Sequence, residues 1–122
     1  MYALTLTPQP DYLHAVVTGT NSMEAVEGYL KEIQRECLAR QCFRVLIEER
    51  LEGPRLDTLA VFQIASEGTE RARGHVHSIA YVDINAQGGF MQFAENVAVN
   101  RGLRVAVFSS VDKAKEWLLR TV

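Results

Sequence analysis

Cysteine is scarce in this sequence, which holds only Cys37 and Cys42 among 122 residues. Small secreted domains often offset a small core with several disulfides, and two cysteines do not provide such a framework. A redox pair or a metal site would need further partners at better spacing. We therefore expect both side chains to behave as small, half-buried apolar groups.

Excess basic charge and long apolar runs are also missing. The net charge is -2 and the pI is near 5.9. Lysine and arginine are scattered, with no aromatic series between them, which argues against a nucleic-acid partner. No apolar run approaches the roughly 20 residues that a membrane-spanning helix needs. The first ten residues lack the basic start and apolar segment of a signal peptide, so we expect a soluble, cytoplasmic protein with no membrane partner.

Signatures of catalysis and of nucleotide binding are absent as well. The sequence has neither a glycine-rich dinucleotide motif nor a P-loop, and no serine or cysteine has the context of a nucleophile elbow. The three histidines are His14, His75 and His77. The last two would share one face of a strand, but we expect histidines at surface or edge positions rather than a metal site. The sequence therefore predicts no catalytic residue, no metal and no cofactor.

What the sequence does contain is a repeated alternation of short apolar strands and amphipathic helices. Residues 103–108 are apolar and partly β-branched, and apolar residues recur at helical spacing from Val111 to Leu118. Each helix of this kind must cross over before the next strand begins. The sequence therefore predicts an α/β fold with a mostly parallel sheet, in a single domain that spans residues 1–122.

The predicted elements begin with an antiparallel hairpin formed by residues 2–7 and 12–18, on either side of a turn between Pro8 and Pro10. The predicted strands that follow are 44–48, 76–84 and 103–108. The predicted helices are one that ends near residue 39, then 58–73, 90–100 and 111–119. Residues 49–57, with Gly53 and Pro54, are predicted to form a loop. The order is ββαβαβαβα.

Two local patterns accompany this order. The strand Arg44-Val45-Leu46-Ile47 feeds a loop into a helix at Asp57, and the chain closes with Phe108-Ser109-Ser110 and Ala114-Lys115-Glu116-Trp117-Leu118. Together these features resemble the STAS domain, the anti-sigma-factor-antagonist-like or SpoIIAA-like family, over nearly the whole chain. The resemblance implies a SpoIIAA-like fold and a non-enzymatic regulatory or binding domain that recognises a protein partner or a small ligand.

The resemblance also implies a candidate phosphorylation site. In bacterial regulators of that family, an Asp followed by Ser or Thr at the start of the second helix is the site that a kinase partner modifies. Asp57 and Thr58 occupy the corresponding place, although Leu59 stands where a second hydroxyl residue is usual. A phosphate on Thr58 would be stabilised by the free N–H groups of the helix start. In that case the chain would be a phosphorylation-controlled anti-sigma antagonist; the alternative is that Asp57 is only a helix N-cap.

Polar residues gather where the predicted parallel strands end, and α/β sheets bind ligands at this carboxyl edge. The candidate ligand-binding residues are Glu49, Arg50, Asp83, Asn85 and Ser109. Carboxylate, guanidinium, amide and hydroxyl groups can hold a polar ligand, and they can also serve acid–base chemistry. The second use defines an alternative function, a small hydrolase-type enzyme with Glu49, Asp83 and Asn85 in its site.

A homodimer is a further expectation from the sequence. Val61, Val97, Val99 and Leu103 would leave apolar surface on the predicted second and third helices and beyond. Two-fold dimers are the commonest soluble oligomers, and they cover surface of this kind.

Overall fold

The computed structural model describes residues 2–53, 64, 67, 78–83 and 104–120. These residues form a five-stranded sheet in the order β1-β2-β3-β4-β5. The strands are β1 (Tyr2–Pro8), β2 (Leu13–Thr20), β3 (Arg44–Glu52), β4 (Ser78–Asp83) and β5 (Arg104–Phe108), and the described helices are α1 (Met23–Arg40) and α2 (Val111–Arg120). β1 is antiparallel to β2, and every later pair is parallel. The predicted α/β fold with an antiparallel hairpin is confirmed.

Helix α1 begins and ends where local chemistry favours it. The Ser22 hydroxyl accepts a hydrogen bond from the Ala25 N–H at 3.0 Å, which satisfies one of the free donors of the helix start. At the other end Gln41 adopts a left-handed conformation with φ 53°, and its N–H reaches the carbonyls of Cys37 and Leu38. The buried residues of α1 lie on one stripe: Ala25, Val26, Tyr29, Ile33 and Cys37.

Tyr2 fixes α1 to the edge of the sheet. Its hydroxyl donates to the Glu32 carboxyl at 2.8 Å, and its ring packs edge-on against the ring of Tyr29 at 6.2 Å. Partial burial and then the Glu32 hydrogen bond raise the pKa of Tyr2, so the hydroxyl remains a donor. A Cβ at Gly28 would lie 2.9 Å from the Tyr2 ring, which explains why glycine stands there.

The sheet buries side chains on both faces, and β3 contributes to both. Val45 and Ile47 belong to the core on the face that α1 covers, the α1 face. Leu46 points the other way and packs with Ala114 and Leu118 of α2, on the α2 face. This alternation follows from the two-residue period of a strand, and it explains why the centre of β3 has no polar residue.

Strand β3 is longer than predicted, because residues 49–52 continue it rather than forming a loop. Residues Val17 to Thr20 of β2 pair in parallel with Glu49 to Glu52. Leu51 is buried in the core, and the Asn21 N–H donates to the Glu52 carbonyl at 2.7 Å. Gly53 and Pro54 indicated a loop from residue 49 onward, but pairing with β2 and burial of Leu51 keep residues 49–52 extended. Gly53, with φ 107°, follows the strand.

Several predicted features lie outside the described residues. Of the predicted second helix the structure describes Ile64 and Glu67, which are helical, and Ile64 is buried in the α1-face core. The predicted third helix, His75, His77 and the apolar positions proposed for a dimer also lie outside them. None of the helices in the described part of the chain is long and apolar enough to cross a membrane.

The two cysteines differ in burial, and we expect them to differ in reactivity. Both are free thiols; Cys42 is half-buried, whereas Cys37 is fully buried and burial raises the pKa of its thiol to about 12. Because the thiolate is the reactive form, Ellman's reagent at about pH 8 should label one cysteine in the folded chain and both after denaturation. Cys42→Ser should abolish labelling of the folded chain. Rapid labelling of both thiols without denaturant would contradict this assignment.

Candidate functional site

Glu48 and Glu49 are buried side by side near the carboxyl end of β3, and they point to opposite faces of the sheet. Glu48 is 4% exposed and Glu49 is 6% exposed. A buried carboxyl group without partners is strongly unfavourable, so each must find hydrogen-bond donors within the fold. The two residues therefore define two separate polar clusters.

The first cluster lies on the α1 face and consists of Glu49, Tyr29 and Tyr81. The Tyr29 hydroxyl donates to Glu49 Oε2 at 2.5 Å, and the Tyr81 hydroxyl donates to the same oxygen. The two hydroxyls also contact each other. Tyr29 comes from α1 and is fully buried, whereas Tyr81 comes from β4 and is half-buried. The cluster thus joins α1, β3 and β4 through one carboxyl group.

The second cluster lies on the α2 face and consists of Glu48, His14 and Arg50. His14 Nε2 is 3.1 Å from Glu48 Oε1, and Arg50 Nε donates to Glu48 Oε2 at 2.5 Å. A second guanidinium nitrogen of Arg50 also reaches Oε2. The Arg50 side chain is 53% exposed, so this ion pair runs from the interior to solvent. Both oxygens of Glu48 have charged or polar partners within the protein.

The structure brings only some of the predicted site residues together. Glu49 of β3 and Asp83 of β4 are paired through their Cα atoms, and the structure describes the backbone of Asp83 but not its side chain. Exposed Ser109 follows Phe108, the β5 partner of Val82, and so lies at the same edge. Arg50, in contrast, belongs to the cluster on the opposite face from Glu49.

Two predicted residues, Asn85 and Thr58, lie outside the described residues, so the ligand and phosphorylation hypotheses that involve them stay predictions. The neighbouring Ser110 has a structural role: its hydroxyl accepts from the Lys113 N–H at 3.3 Å, and its carbonyl accepts from the Ala114 N–H at the start of α2.

Sequence reasoning missed three residues of these clusters: His14, Tyr29 and Tyr81. His14 forms no recognisable motif with an acidic residue close to it in sequence, and it meets Glu48 only through the parallel register that places His14 beside Leu46. Tyr29 belongs to the apolar stripe of α1, where its hydroxyl gives no signal of its own. The available signal was a tyrosine in an otherwise apolar element, because a buried tyrosine hydroxyl needs a hydrogen-bond partner and β3 carries acidic residues.

A groove lies at the opposite edge of the sheet, at the amino ends of β2 and β3. We call it the amino-edge groove; it has a volume of about 490 Å³ and is lined by residues 8–13 of the hairpin turn and 40–44 between α1 and β3. Arg40 in its wall pairs with Glu36 at 3.2 Å. Arg44 is half-buried, and among the described residues its guanidinium has no ion pair. Asp11 is the acidic residue of the lining, and it is exposed.

Metal binding finds no support in the part of the chain that the structure describes. Within it, no three side chains of histidine, cysteine, aspartate or glutamate come together as a metal site. The pairing of His14 with Glu48 supplies two such groups, and the third member of that cluster is an arginine, which repels cations.

Comparison with known proteins identifies a solved structure with a similar fold. No protein-family model matches the chain, and no curated protein matches it. A crystal structure of an uncharacterized protein of the DUF3478 family from Shewanella loihica, described as having a SpoIIAA-like fold, matches with a TM-score of 0.58 over 96% of this chain and 93% of that one. The chain has a SpoIIAA-like fold. The sequence identity is 20%, so the likeness between this chain and the Shewanella protein concerns the fold alone.

Removing one hydroxyl from the Glu49 cluster tests how much the cluster contributes to the stability of the fold. Tyr29→Phe keeps the ring but takes away a donor to a buried carboxyl group, and we expect it to lower the free energy of unfolding by about 1–3 kcal/mol. Urea denaturation followed by circular dichroism measures the change. The matched control is Tyr2→Phe, because the Tyr2 hydroxyl donates to the half-buried Glu32. This variant should lower the free energy of unfolding by about 0.5 kcal/mol. Equal losses for the two variants would contradict a special role for the cluster.

Proposed function

We propose that this chain is a non-enzymatic binding domain and that it binds a small organic anion in the amino-edge groove. The observation that carries the proposal is Arg44, a half-buried arginine in the groove wall that forms no ion pair with the described residues. Partly burying a guanidinium without a counter-charge is unfavourable, and a bound carboxylate or phosphate would offset it.

The position of Arg44 supports this use. It is the first residue of β3, and its Cα is paired with that of Ser78 on β4, so its backbone is held by the sheet. A rigid backbone places the planar guanidinium for two parallel hydrogen bonds to an anion. Asp11 also lines the groove, but it is exposed, so solvent screens its charge more than that of Arg44.

Apolar groups in the same groove indicate a ligand that is more than an inorganic ion. Phe43 is 43% exposed, and Tyr12 and Cys42 also line the groove. The volume of about 490 Å³ lies within the range of roughly 300–1,000 Å³ that small-molecule sites occupy. An organic acid with an aromatic or aliphatic part fits both the charge and the apolar surface.

The two polar clusters on β3 favour binding over catalysis. A general base must present a free acceptor within reach of a substrate proton. Glu49 is buried and accepts hydrogen bonds from two tyrosines, and Glu48 is buried with partners on both oxygens. These carboxyl groups stabilise the fold through their hydrogen bonds. In a hydrolase, Glu49 would have to give up these bonds before it could accept a proton from a substrate.

The first experiment measures binding by chemical-shift titration with benzoate, and with uncharged benzamide as the matched probe. We expect benzoate to bind in the groove and benzamide to bind at least about tenfold more weakly. Arg44→Gln should weaken benzoate binding by about 10–100-fold, the usual value of a charged hydrogen bond. Asp11→Asn should strengthen it a few-fold, since a repulsive charge is removed.

The control variant is Arg120→Gln, which removes an exposed arginine that pairs with Glu116 on α2, outside the groove. It should leave benzoate binding unchanged. Equal binding of benzamide and benzoate, or equal weakening by Arg120→Gln and Arg44→Gln, would contradict the proposed role of Arg44.

The second experiment addresses the enzyme alternative. We expect no hydrolysis of activated ester and phosphate substrates above the background of the buffer. Glu49→Gln, checked for folding by circular dichroism, is the decisive comparison. Turnover by the original chain that disappears in folded Glu49→Gln would overturn the non-enzymatic proposal in favour of a hydrolase.

A further inference from the structure

Among the described residues, strand β1 forms one edge of the sheet, and no strand pairs with its outer side. Its hydrogen-bonded neighbour is β2, and within the described residues no other strand pairs with it. The pairing with β2 runs without interruption from Tyr2 opposite Gly19 to Pro8 opposite Leu13, so no bulge twists the edge away. β1 therefore offers a row of backbone donors and acceptors to another strand.

Protection by charge is missing from this edge. The segment Tyr-Ala-Leu-Thr-Leu-Thr-Pro contains no charged residue, and Pro8 at its end is the only residue that opposes pairing. Edge strands of monomeric proteins usually carry lysine, inward charges, bulges or proline to prevent association. A seven-residue edge without charge or bulge is what a strand that pairs with another chain requires.

The two faces of β1 are also suited to a partner. Tyr2, Leu4 and Leu6 lie on the α1 face and are half-buried, so α1 covers them only in part. Ala3, Thr5 and Thr7 lie on the opposite face and are exposed. A sheet that continued beyond β1 would cover more of the apolar row and would leave the small and hydroxyl side chains on a flat outer face.

We propose that two copies of this chain pair through β1, antiparallel about a two-fold axis at Thr5. In this register Leu4 lies opposite Leu6 of the second copy, Ala3 lies opposite Thr7, and the two Thr5 residues face each other. Leucine meets leucine on one face, and small or hydroxyl residues meet on the other, which are favourable cross-strand pairs. The two five-stranded sheets become one continuous sheet. This interface uses none of the groove residues that carry the proposed function apart from Pro8 at the end of the strand.

The mass in solution tests the proposal. Sedimentation equilibrium at high micromolar concentration should give twice the 13.7 kDa of one chain. Thr5→Lys places two positive charges opposite each other at the axis, and it should raise the dissociation constant of the dimer at least about tenfold. The control is Thr18→Lys, on an exposed position of β2 that is not at the edge, and it should leave the dimer intact. A 13.7 kDa species at all concentrations, or a Thr5→Lys dimer as stable as the original, would overturn the proposal.

Crosslinking tests the register separately. In a Cys42→Ser background, Thr5→Cys should form a disulfide between two copies under mild oxidation, because directly opposed residues of an antiparallel pair lie about 4.5–5.5 Å apart between Cα atoms. Ala3→Cys should not crosslink to itself, since it faces Thr7 of the second copy. Crosslinking of Ala3→Cys in preference to Thr5→Cys would overturn the proposed axis.

Discussion

The burial of two adjacent carboxyl groups on β3 is the constraint on which the rest of the structure depends. Each group needs hydrogen-bond partners, and besides Arg50 of β3 itself these come from other elements: Tyr29 from α1, Tyr81 from β4 and His14 from β2. A shift of β3 by one residue would send Glu48 to the tyrosines' face and Glu49 to the face of His14. The two clusters therefore fix the register of the central strand more strictly than apolar side chains of similar size would.

The same constraint gives the carboxyl edge and the amino edge of the sheet different roles. At the carboxyl edge, where α/β folds usually bind ligands, the acids of β3 are occupied by partners within the protein. At the amino edge, Arg44 and the ring of Phe43 are presented to a groove. Among the described residues the Arg44 guanidinium forms no ion pair, so it is available to a ligand, and this is why the proposed site lies at the less usual edge.

Much of the fold could be predicted from the sequence, because the spacing of apolar residues distinguishes strands from helices. The predicted strands 2–7 and 12–18, the first helix that ends near residue 39 and the closing strand and helix all agree with the structure to within about two residues. The prediction was wrong at residues 49–52, which were assigned to a loop because Gly53 and Pro54 follow them. Burial of Leu51 and pairing with β2 decide that segment, and both depend on neighbours distant in sequence.

The clusters were harder to predict for the same reason. Glu49 was singled out from the sequence as a strand-end acid, but its partner Tyr29 lies 20 residues away and Tyr81 lies 32 residues away. Spacing of this kind follows from strand order and register, and neither can be obtained from one sequence. The likeness to the Shewanella protein at 20% identity has the same origin, since apolar periodicity preserves a fold while the polar contacts that define a site are free to change.

Both proposed contact surfaces belong to the amino-terminal hairpin and its surroundings. The turn between β1 and β2 forms one wall of the groove, and the outer side of β1 forms the open edge. Strands β3 to β5, joined in parallel and covered by α2, supply the buried scaffold that holds the hairpin in place. Within the described part of the chain β1 pairs with β2 alone, and β2 has β3 on its other side, so β1 lies at an edge of the sheet. In this SpoIIAA-like fold that topology leaves one side of β1 without a strand partner among the described residues, and the lack of charge on β1 makes that side suitable for pairing.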